Sequence, residues 1–336
     1  MERYKTLKEG AGAVVTIDSG RVDPSHEGRL VHLTGFARTE DQPADREFGV
    51  SVHALKLIRE VEMYQWQEGK SSETQKKFGG GTETVTTYNY SKEWSSKFND
   101  SADFKKSAGH VNPSMKFKPA TFYAKPVTLD AFTLSNRQVR MVGGDESFSL
   151  PEGYETPEHL GEVTVSPTTL YLGEDPAVPT VGDLRVSFSI VPEQEVTLVA
   201  AQVRESFEPY PTDAGGTINL LKSGVFSSGA MIQQAQDSNK IMTWVLRSIG
   251  LLLMFSGFSL VMAPLSVLAD VVPIIGDFVG MGTSILAFLL TIVGGTITIA
   301  VAWIVFRPVL AICLLAVTVA AIYFIFKKMK SSPAQA

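Results

Sequence analysis

The sequence predicts an α+β membrane protein, in which a β-rich soluble domain is followed by a helical transmembrane region of three segments. The first observation is that residues 241–326 contain only four charged side chains, which separate three long apolar runs: Arg247, Asp270, Asp277 and Arg307. The second is that the first 226 residues contain alternating stretches rich in β-branched and aromatic residues. The third is that all but five of the 30 Lys and Arg residues and all but two of the 35 Asp and Glu residues precede residue 241.

The transmembrane region is predicted at residues 241–326. Its hydrophobic segments lie at about 245–268, 278–306 and 308–326. A helix rises ~1.5 Å per residue, so about 20 apolar residues match a hydrocarbon core ~30 Å thick. A soluble protein with a buried helical core rarely has three such runs in succession. The pattern therefore favours a multi-pass integral membrane protein.

The predicted soluble domain comprises residues 1–226. The charge count leaves residues 1–240 with a net charge of −8, which argues against a nucleic-acid-binding surface. Residues 227–240 suit a polar juxtamembrane helix with Ser227 as a candidate N-cap, and residues 327–336 form a basic tail. Cys313 is the only cysteine, so no intramolecular disulfide is possible.

The strand predictions rest on composition and alternation. Residues 54–66 and 85–94 predict an antiparallel hairpin around a glycine-rich turn, and residues 183–203 predict a second hairpin around Pro192. Residues 101–109 predict a short helix that ends at Gly109.

A candidate site for chemistry is a cluster of polar and aromatic residues: Glu62, Gln65, Trp66, Glu68, His110 and Asn112. A His–carboxylate pair formed by Glu62 and His110 could act as a general base or bind a metal if the fold brings the two together. A structural interpretation is favoured, because alternation places Glu60, Glu62 and Tyr64 on the solvent side of a strand. It also treats Asn112, which precedes a proline, as a turn residue bonding nearby backbone.

An aromatic face offers an alternative kind of site. Tyr88, Tyr90 and Trp94 share one parity of a predicted strand and could line a pocket for a lipid or another ligand. The five histidines and one cysteine lack metal-ligand spacing, and phosphate-loop and nucleophile-elbow motifs are absent. The sequence therefore predicts no cofactor, no metal and no enzymatic activity.

Within the membrane region, small residues four apart would let helices approach closely: Gly276 with Gly280, and Ala316 with Ala320. They suit either packing among the chain's own helices or a homo-oligomer interface. Arg247 and Arg307 lie near helix ends, where long side chains reach lipid phosphates. No charge lies inside an apolar run, which disfavours an ion or proton pathway.

Several segments, in this order, resemble the transmembrane protein 43 family, also called LUMA. The first half contributes 26–32 (HEGRLVH), 61–68 (VEMYQWQE), Tyr88-x-Tyr90 with Glu93-Trp94, and 109–114 (GHVNPS). The second half contributes 181–188 (VGDLRVSF), Met242-x-Trp244 with Leu246-Arg247, and 306–308 (FRP). Together they span residues 26–308, nearly the whole chain.

The resemblance implies a lumenal or extracytoplasmic domain and a cytosolic C-terminus. Family members have a membrane segment before the domain, and residues 2–10 are similar to the stretch that follows it, so we expect either a trimmed or misassigned start or a member that inserts differently. Animal members occur in the endoplasmic reticulum and inner nuclear membrane with lamina-linked proteins, and bacterial relatives exist. The expected location is therefore a bacterial cell membrane or, in a eukaryote, those endomembranes.

The function expected from the residues and the resemblance together is a non-enzymatic scaffold. Such a protein would self-associate and would organise membrane proteins and lipids. Two alternatives stay open at this stage: a lipid- or ligand-sensing membrane protein, and an envelope- or lipid-acting enzyme using Glu62 and His110.

Overall fold

The computed structural model describes residues 2–76, 82–269, 273–304 and 308–331. The chain divides into two compact units, residues 1–71 with 88–239, and residues 72–87 with 240–336. The first unit is the β-rich domain, and the second contains the tip of one hairpin and the apolar helices.

The strands of the described residues are, in chain order, β1 (Val15–Thr16), β2 (Leu30–Arg38), β3 (Ala44–Asp45), β4 (Val50–Ser51), β5 (Lys56–Lys76), β6 (Thr82–Ser95), β7 (Ala120–Tyr123), β8 (Thr128–Leu129), β9 (Phe132–Thr133), β10 (Glu146–Ser147), β11 (Thr164–Val165), β12 (Thr169–Leu172), β13 (Leu184–Val191), β14 (Gln194–Val203), β15 (Ser206–Glu208), β16 (Tyr210–Pro211), β17 (Thr217–Ile218) and β18 (Leu220–Ser223). The helices are α1 (Glu2–Ala13), α2 (Asn136–Met141), α3 (Ser228–Ala269), α4 (Pro273–Ile304) and α5 (Pro308–Ser331), with 3-10 turns at Pro24–His26, Ser101–Asp103 and Glu158–Leu160.

Two larger sheets form the β-rich domain. In the first, the strand order is β15-β14-β2-β8-β9, with β1 parallel to β2 and β18 also on β14. In the second, the order is β11-β12-β13-β5-β6, with β10 on β13 and β7 on β5. Each sheet has its own buried cluster, around Phe132 and Phe207 in the first and around Phe48 and Phe188 in the second. The β-rich domain predicted from alternation is therefore present.

The predicted hairpin at residues 54–66 and 85–94 corresponds to β5 and β6, although β5 runs ten residues beyond Trp66, to Lys76. The predicted hairpin at residues 183–203 is wrong, because its two strands belong to different sheets. β13 pairs with β5 and β14 pairs with β2. Pro192 and Glu193 form a corner between the sheets, and the Glu193 carboxylate accepts a hydrogen bond from Thr39 N at 2.8 Å.

The helix predicted at residues 101–109 is also wrong. One 3-10 turn, Ser101–Asp103, is capped by the Asp100 carboxylate, which accepts from Ala102 N at 2.9 Å. Two backbone amides after it donate to side chains of the β5–β6 hairpin: Lys105 N to the Glu68 carboxylate at 2.6 Å and Lys106 N to the Tyr90 hydroxyl at 2.9 Å. Contacts made by a distant strand therefore override the local helical preference.

A buried cation stabilises the second sheet. Arg59 on β5 is 5% exposed, and its guanidinium donates to the Asp45 carboxylate at 2.8 Å and pairs with Glu47 at 2.6 Å. The same guanidinium lies 5.0 Å from the ring centroid of Phe48. Desolvation raises the pKa of Asp45, against the opposing effect of Arg59. The charges are paired because unpaired ones would be strongly unfavourable at this depth.

Helix α1 packs against β17 and β2 through a small residue. Leu7 is fully buried, and a Cβ added at Gly10 would lie 2.2 Å from Ile218 Cδ1 and 3.3 Å from Leu30 Cδ2. Gly12, two residues on, would meet nothing within 4 Å. Glycine at position 10 therefore lets α1 approach β17 and β2 closely.

The described residues contain two helices that are long and apolar enough to cross a membrane. They lie at Ser228–Pro264 and Met281–Ala302, and α5 contributes a shorter apolar stretch, Val309–Ala320. The predicted juxtamembrane helix and first membrane segment form one continuous helix, α3. Its predicted N-cap is confirmed, since Ala230 N donates to Ser227 Oγ at 3.2 Å.

Candidate functional site

The candidate site lies on one face of the β5–β6 hairpin. Odd-numbered residues of β5 such as Val61, Met63 and Gln65 are buried, whereas Glu62 and Tyr64 are half-buried, so the predicted alternation is confirmed. The half-buried, even-numbered face carries the aromatic strip, defined here as five residues: Tyr64, Trp66, Tyr90, Trp94 and His110. Tyr64 contacts Trp94 across the hairpin, with ring centroids 5.3 Å apart.

His110 is held between two rings of the aromatic strip. Its ring stacks on Tyr90 at 3.9 Å and 16°, and meets Trp66 edge-on at 4.7 Å and 88°. Its Nδ1 lies 3.0 Å from the carbonyl oxygen of Lys106. A carbonyl only accepts, so Nδ1 carries the proton and a neutral ring has its lone pair on Nε2. The aromatic contacts position His110 as a packing residue.

Tyr90 connects the strip to the segment that precedes His110. Its hydroxyl donates to the Glu68 carboxylate at 2.7 Å and accepts from Lys106 N at 2.9 Å. Desolvation, followed by the hydrogen bond to Glu68, raises the pKa of Tyr90. The phenol is thus held in its protonated form, and Glu68 receives bonds from both Tyr90 and Lys105 N.

Asn112 bonds the edge of β5 rather than a local turn, so the predicted turn role is wrong. Its Oδ1 accepts from Trp66 N at 2.7 Å, and its Nδ2 donates to Trp66 O at 2.9 Å and to Asn99 O at 3.0 Å. Two residues earlier along the same edge of β5, the backbone carbonyl of Asp183 accepts a hydrogen bond from Tyr64 N at 2.9 Å. The Asn112 amide therefore takes the place of a strand backbone at Trp66.

Glu62 lies away from this group. It pairs in register with Arg185 on β13, and Trp66 lies four positions further along the extended strand, about 13 Å away. The fold thus brings Trp66, Tyr90, His110 and Asn112 together but places Glu62 elsewhere, and no Glu62–His110 pair is formed. Tyr88 is half-buried on β6, two residues before Tyr90.

Two cations that the sequence reasoning missed cover rings of the strip. Lys92 Nζ lies 4.8 Å from the Trp66 ring centroid, and Arg185 Cζ lies 3.9 Å from that of Trp94. Lys92 shares the parity of Tyr90 and Trp94, so alternation could have identified it. Arg185 comes from β13, a strand 91 residues further along the chain than Trp94, and its placement depends on the fold. The aromatic strip thus combines internal cation–π contacts with polar groups.

No group of three or more His, Cys, Asp or Glu side chains that could hold a metal ion occurs in the part of the chain that the structure describes.

The predicted membrane residues fall into three groups. Ala316 and Ala320 are exposed on α5, and Arg247 is half-buried on α3 with its guanidinium 5.1 Å from the Trp244 ring centroid. Gly276 and Gly280 fall within α4, but their surroundings lie outside the described residues. Arg307 lies outside the described residues altogether.

A β-rich domain joined to long apolar helices defines a membrane protein with a sizeable soluble domain. Comparison with known sequences gives the family: the sequence model of transmembrane protein 43 matches residues 63–308, and the chain belongs to this family. Transmembrane protein 43 of Mus musculus is 36% identical over 318 residues, covering 91% of this chain and 78% of the relative.

Two further animal relatives give the same result. Transmembrane protein 43 of Homo sapiens is 35% identical over 319 residues, covering 91% of this chain and 79% of the relative. The transmembrane protein 43 homolog of Drosophila melanogaster is 30% identical over 302 residues, covering 86% and 77%. No solved structure matches the chain significantly. The family resemblance seen in the sequence is thus confirmed.

Proposed function

We propose that the protein is a non-enzymatic, multi-pass membrane scaffold that self-associates and organises membrane proteins or lipids. The observation that carries this proposal is an exposed face of α5. Ala316 and Ala320 are exposed, whereas Ala311 and Thr318 of the same helix are buried. The small-residue face is therefore separate from the buried face of the helix.

The exposed face has the shape that a second helix needs. It is an open surface of small and larger residues at helical spacing along α5: Ile312, Leu315, Ala316, Val319, Ala320 and Tyr323. Small residues four apart let two helix backbones approach closely, and larger neighbours pack on either side. A second copy of α5 fits this face, because a two-fold pair places the same residues opposite each other. Self-association then gathers the attached domains on one side of the membrane.

Oxidative cross-linking tests this interface. In a Cys313→Ala background, Ala316→Cys should give a disulfide-linked dimer, since the two Cβ atoms approach within about 4.5 Å. Ala302→Cys, at an exposed alanine of α4, is the matched control and should stay uncross-linked. Native mass spectrometry from nanodiscs should show a discrete wild-type oligomer that Ala316→Leu with Ala320→Leu disrupts. A wild-type monomer would overturn the proposal.

The non-enzymatic part of the proposal rests on the separation of Glu62 from His110. Each candidate catalytic group has a structural position, Glu62 opposite Arg185 and His110 between Trp66 and Tyr90. His110→Ala should therefore lower the melting temperature. An activity on a lipid or envelope substrate that His110→Ala abolishes with no change in melting temperature would argue for an enzyme.

The same proposal includes a third membrane crossing, through α5, and the membrane compartment in which the protein lies. The compartment expected from the resemblance is a bacterial cell membrane or the endoplasmic reticulum and inner nuclear membrane. A protease-protection assay on membranes, with tags before residue 2 and after residue 336, would place the two ends. Ends on opposite sides support three crossings, and ends on the same side contradict them.

A ligand-sensing role is the second candidate, favoured by the half-buried rings of Trp66, Tyr90 and Trp94. Such a role predicts a small molecule or lipid that co-purifies with the wild type and is lost in Trp94→Ala. A ligand-free wild type would count against it.

A further inference from the structure

A cleft lies between α3 and α4 in the helical unit, on either side of a point where the two helices touch. The two helices meet at Gly295, where an added Cβ would lie 2.5 Å from Leu251 Cδ2. A cavity of about 370 Å³ and one of about 650 Å³ adjoin this contact, and both are lined by Leu251, Gly295 and Ile299. Small-molecule sites typically occupy about 300–1,000 Å³, so each cavity can accept a substantial apolar group.

The walls of the cleft are apolar, although they contain several threonines. Ser248 and Thr243 of α3 contribute one hydroxyl to the larger and the smaller cavity respectively; of the threonines on α4, Thr291 and Thr296 line the larger cavity and Thr298 the smaller one. Each of these three on α4 donates its hydroxyl to the carbonyl four residues earlier, at 2.8, 2.7 and 2.8 Å respectively. These hydroxyls are satisfied within α4, so their hydrogen-bonding capacity is largely used inside the helix. The cleft therefore suits hydrocarbon.

One cation lies at the smaller cavity. Arg247 lines it together with Thr243 and Leu246. From residue 248 to residue 269, α3 contains no charged residue, so Arg247 is the last charge before the apolar part of the helix. The neighbouring Trp244 is a residue type enriched at the membrane–water boundary. A guanidinium at that depth complements the phosphate of a lipid.

From these observations we infer that the α3–α4 cleft binds one anionic phospholipid. An acyl chain packs along Leu251 and Gly295, and the phosphate accepts hydrogen bonds from Arg247. The site is built from α3 and α4, so it goes beyond the proposed self-association through α5 and stands or fails without it.

Native mass spectrometry tests the inference on the full chain reconstituted in vesicles of equal phosphatidylglycerol and phosphatidylcholine. The wild type should retain one phospholipid with about a fivefold preference for phosphatidylglycerol, as expected for one cation near the lipid surface. Arg247→Gln should remove the preference. Lys240→Gln changes the charge equally, about 10 Å earlier along α3, and should keep it.

A second pair of variants tests the cavity. A Cβ at Gly250 would meet nothing within 4 Å, yet this residue lines the smaller cavity, so Gly250→Leu should fill it and expel the lipid without disturbing the helix contact. Gly257 is also open and does not line either cavity, so Gly257→Leu is the matched control. The inference is overturned by a wild type without retained phospholipid. It is also overturned if both charge variants lose the preference equally, or if Gly250→Leu retains the lipid.

Discussion

Replacing Asn112 by alanine should destabilise the β-rich domain far more than its position in an irregular segment suggests. The side chain is 7% exposed and makes three hydrogen bonds, two to the backbone of Trp66 and one to Asn99 O. Each such bond contributes about 1 kcal/mol, so the free energy of unfolding should fall by about 3 kcal/mol. For a domain of this size that corresponds to a drop in melting temperature of about 6–12 °C.

Thermal unfolding of the full chain in detergent micelles, followed by near-ultraviolet circular dichroism, measures this drop. His110→Ala is the control, because it removes ring contacts worth about 1 kcal/mol and leaves the Asn112 bonds intact. Asn112→Asp places a carboxylate oxygen against two carbonyl oxygens. The stability that this variant loses should therefore decrease as the pH falls and the carboxyl is protonated. The reasoning is refuted if Asn112→Ala stays within about 1 kcal/mol of the wild type.

Three further changes test other parts of the domain. Arg59→Ala leaves Asp45 buried without its cation, and urea unfolding should show a loss of about 3–5 kcal/mol, largely recovered by Arg59→Met with Asp45→Asn. Because the pKa of Tyr90 is raised, the stability from its proton is complete below the unfolded phenol value of about 10 and is lost as the pH rises through the folded value. Tyr90→Phe should flatten that alkaline dependence. Gly10→Leu should destabilise by about 1–3 kcal/mol through overpacking, and Gly12→Leu by under about 0.5; equal losses would contradict the packing described for α1.

Sequence patterns predicted the features that depend on neighbours along the chain. The alternation of β5, with Glu62 on the face opposite the buried Val61 and Met63, and the cap at Ser227 follow from local geometry, and both are found in the structure. The corner at Pro192 could not be predicted, because a proline-containing turn between two strands looks the same whether the strands pair or part. Only the pairing of β13 with β5 and β14 with β2 distinguishes the two cases.

The candidate site was predicted in composition but not in arrangement. Trp66, Tyr90, His110 and Asn112 do come together, yet the acid beside them is Glu68 and not Glu62. On a strand, residues 62 and 68 share a face, so parity alone cannot say which one the segment before His110 will reach. The role of Asn112 depends on a backbone 46 residues away, and no local pattern contains that information.

The two-residue corner at Pro192 and Glu193 has a consequence for how the domain comes apart. It joins β13, flanked by β12 and β5, directly to β14, flanked by β15 and β2. Unfolding of either strand therefore displaces an interior strand of the other sheet, so we expect the two sheets to unfold together. Hydrogen exchange should accordingly show the amides of β13 and β14 opening together, in one cooperative event.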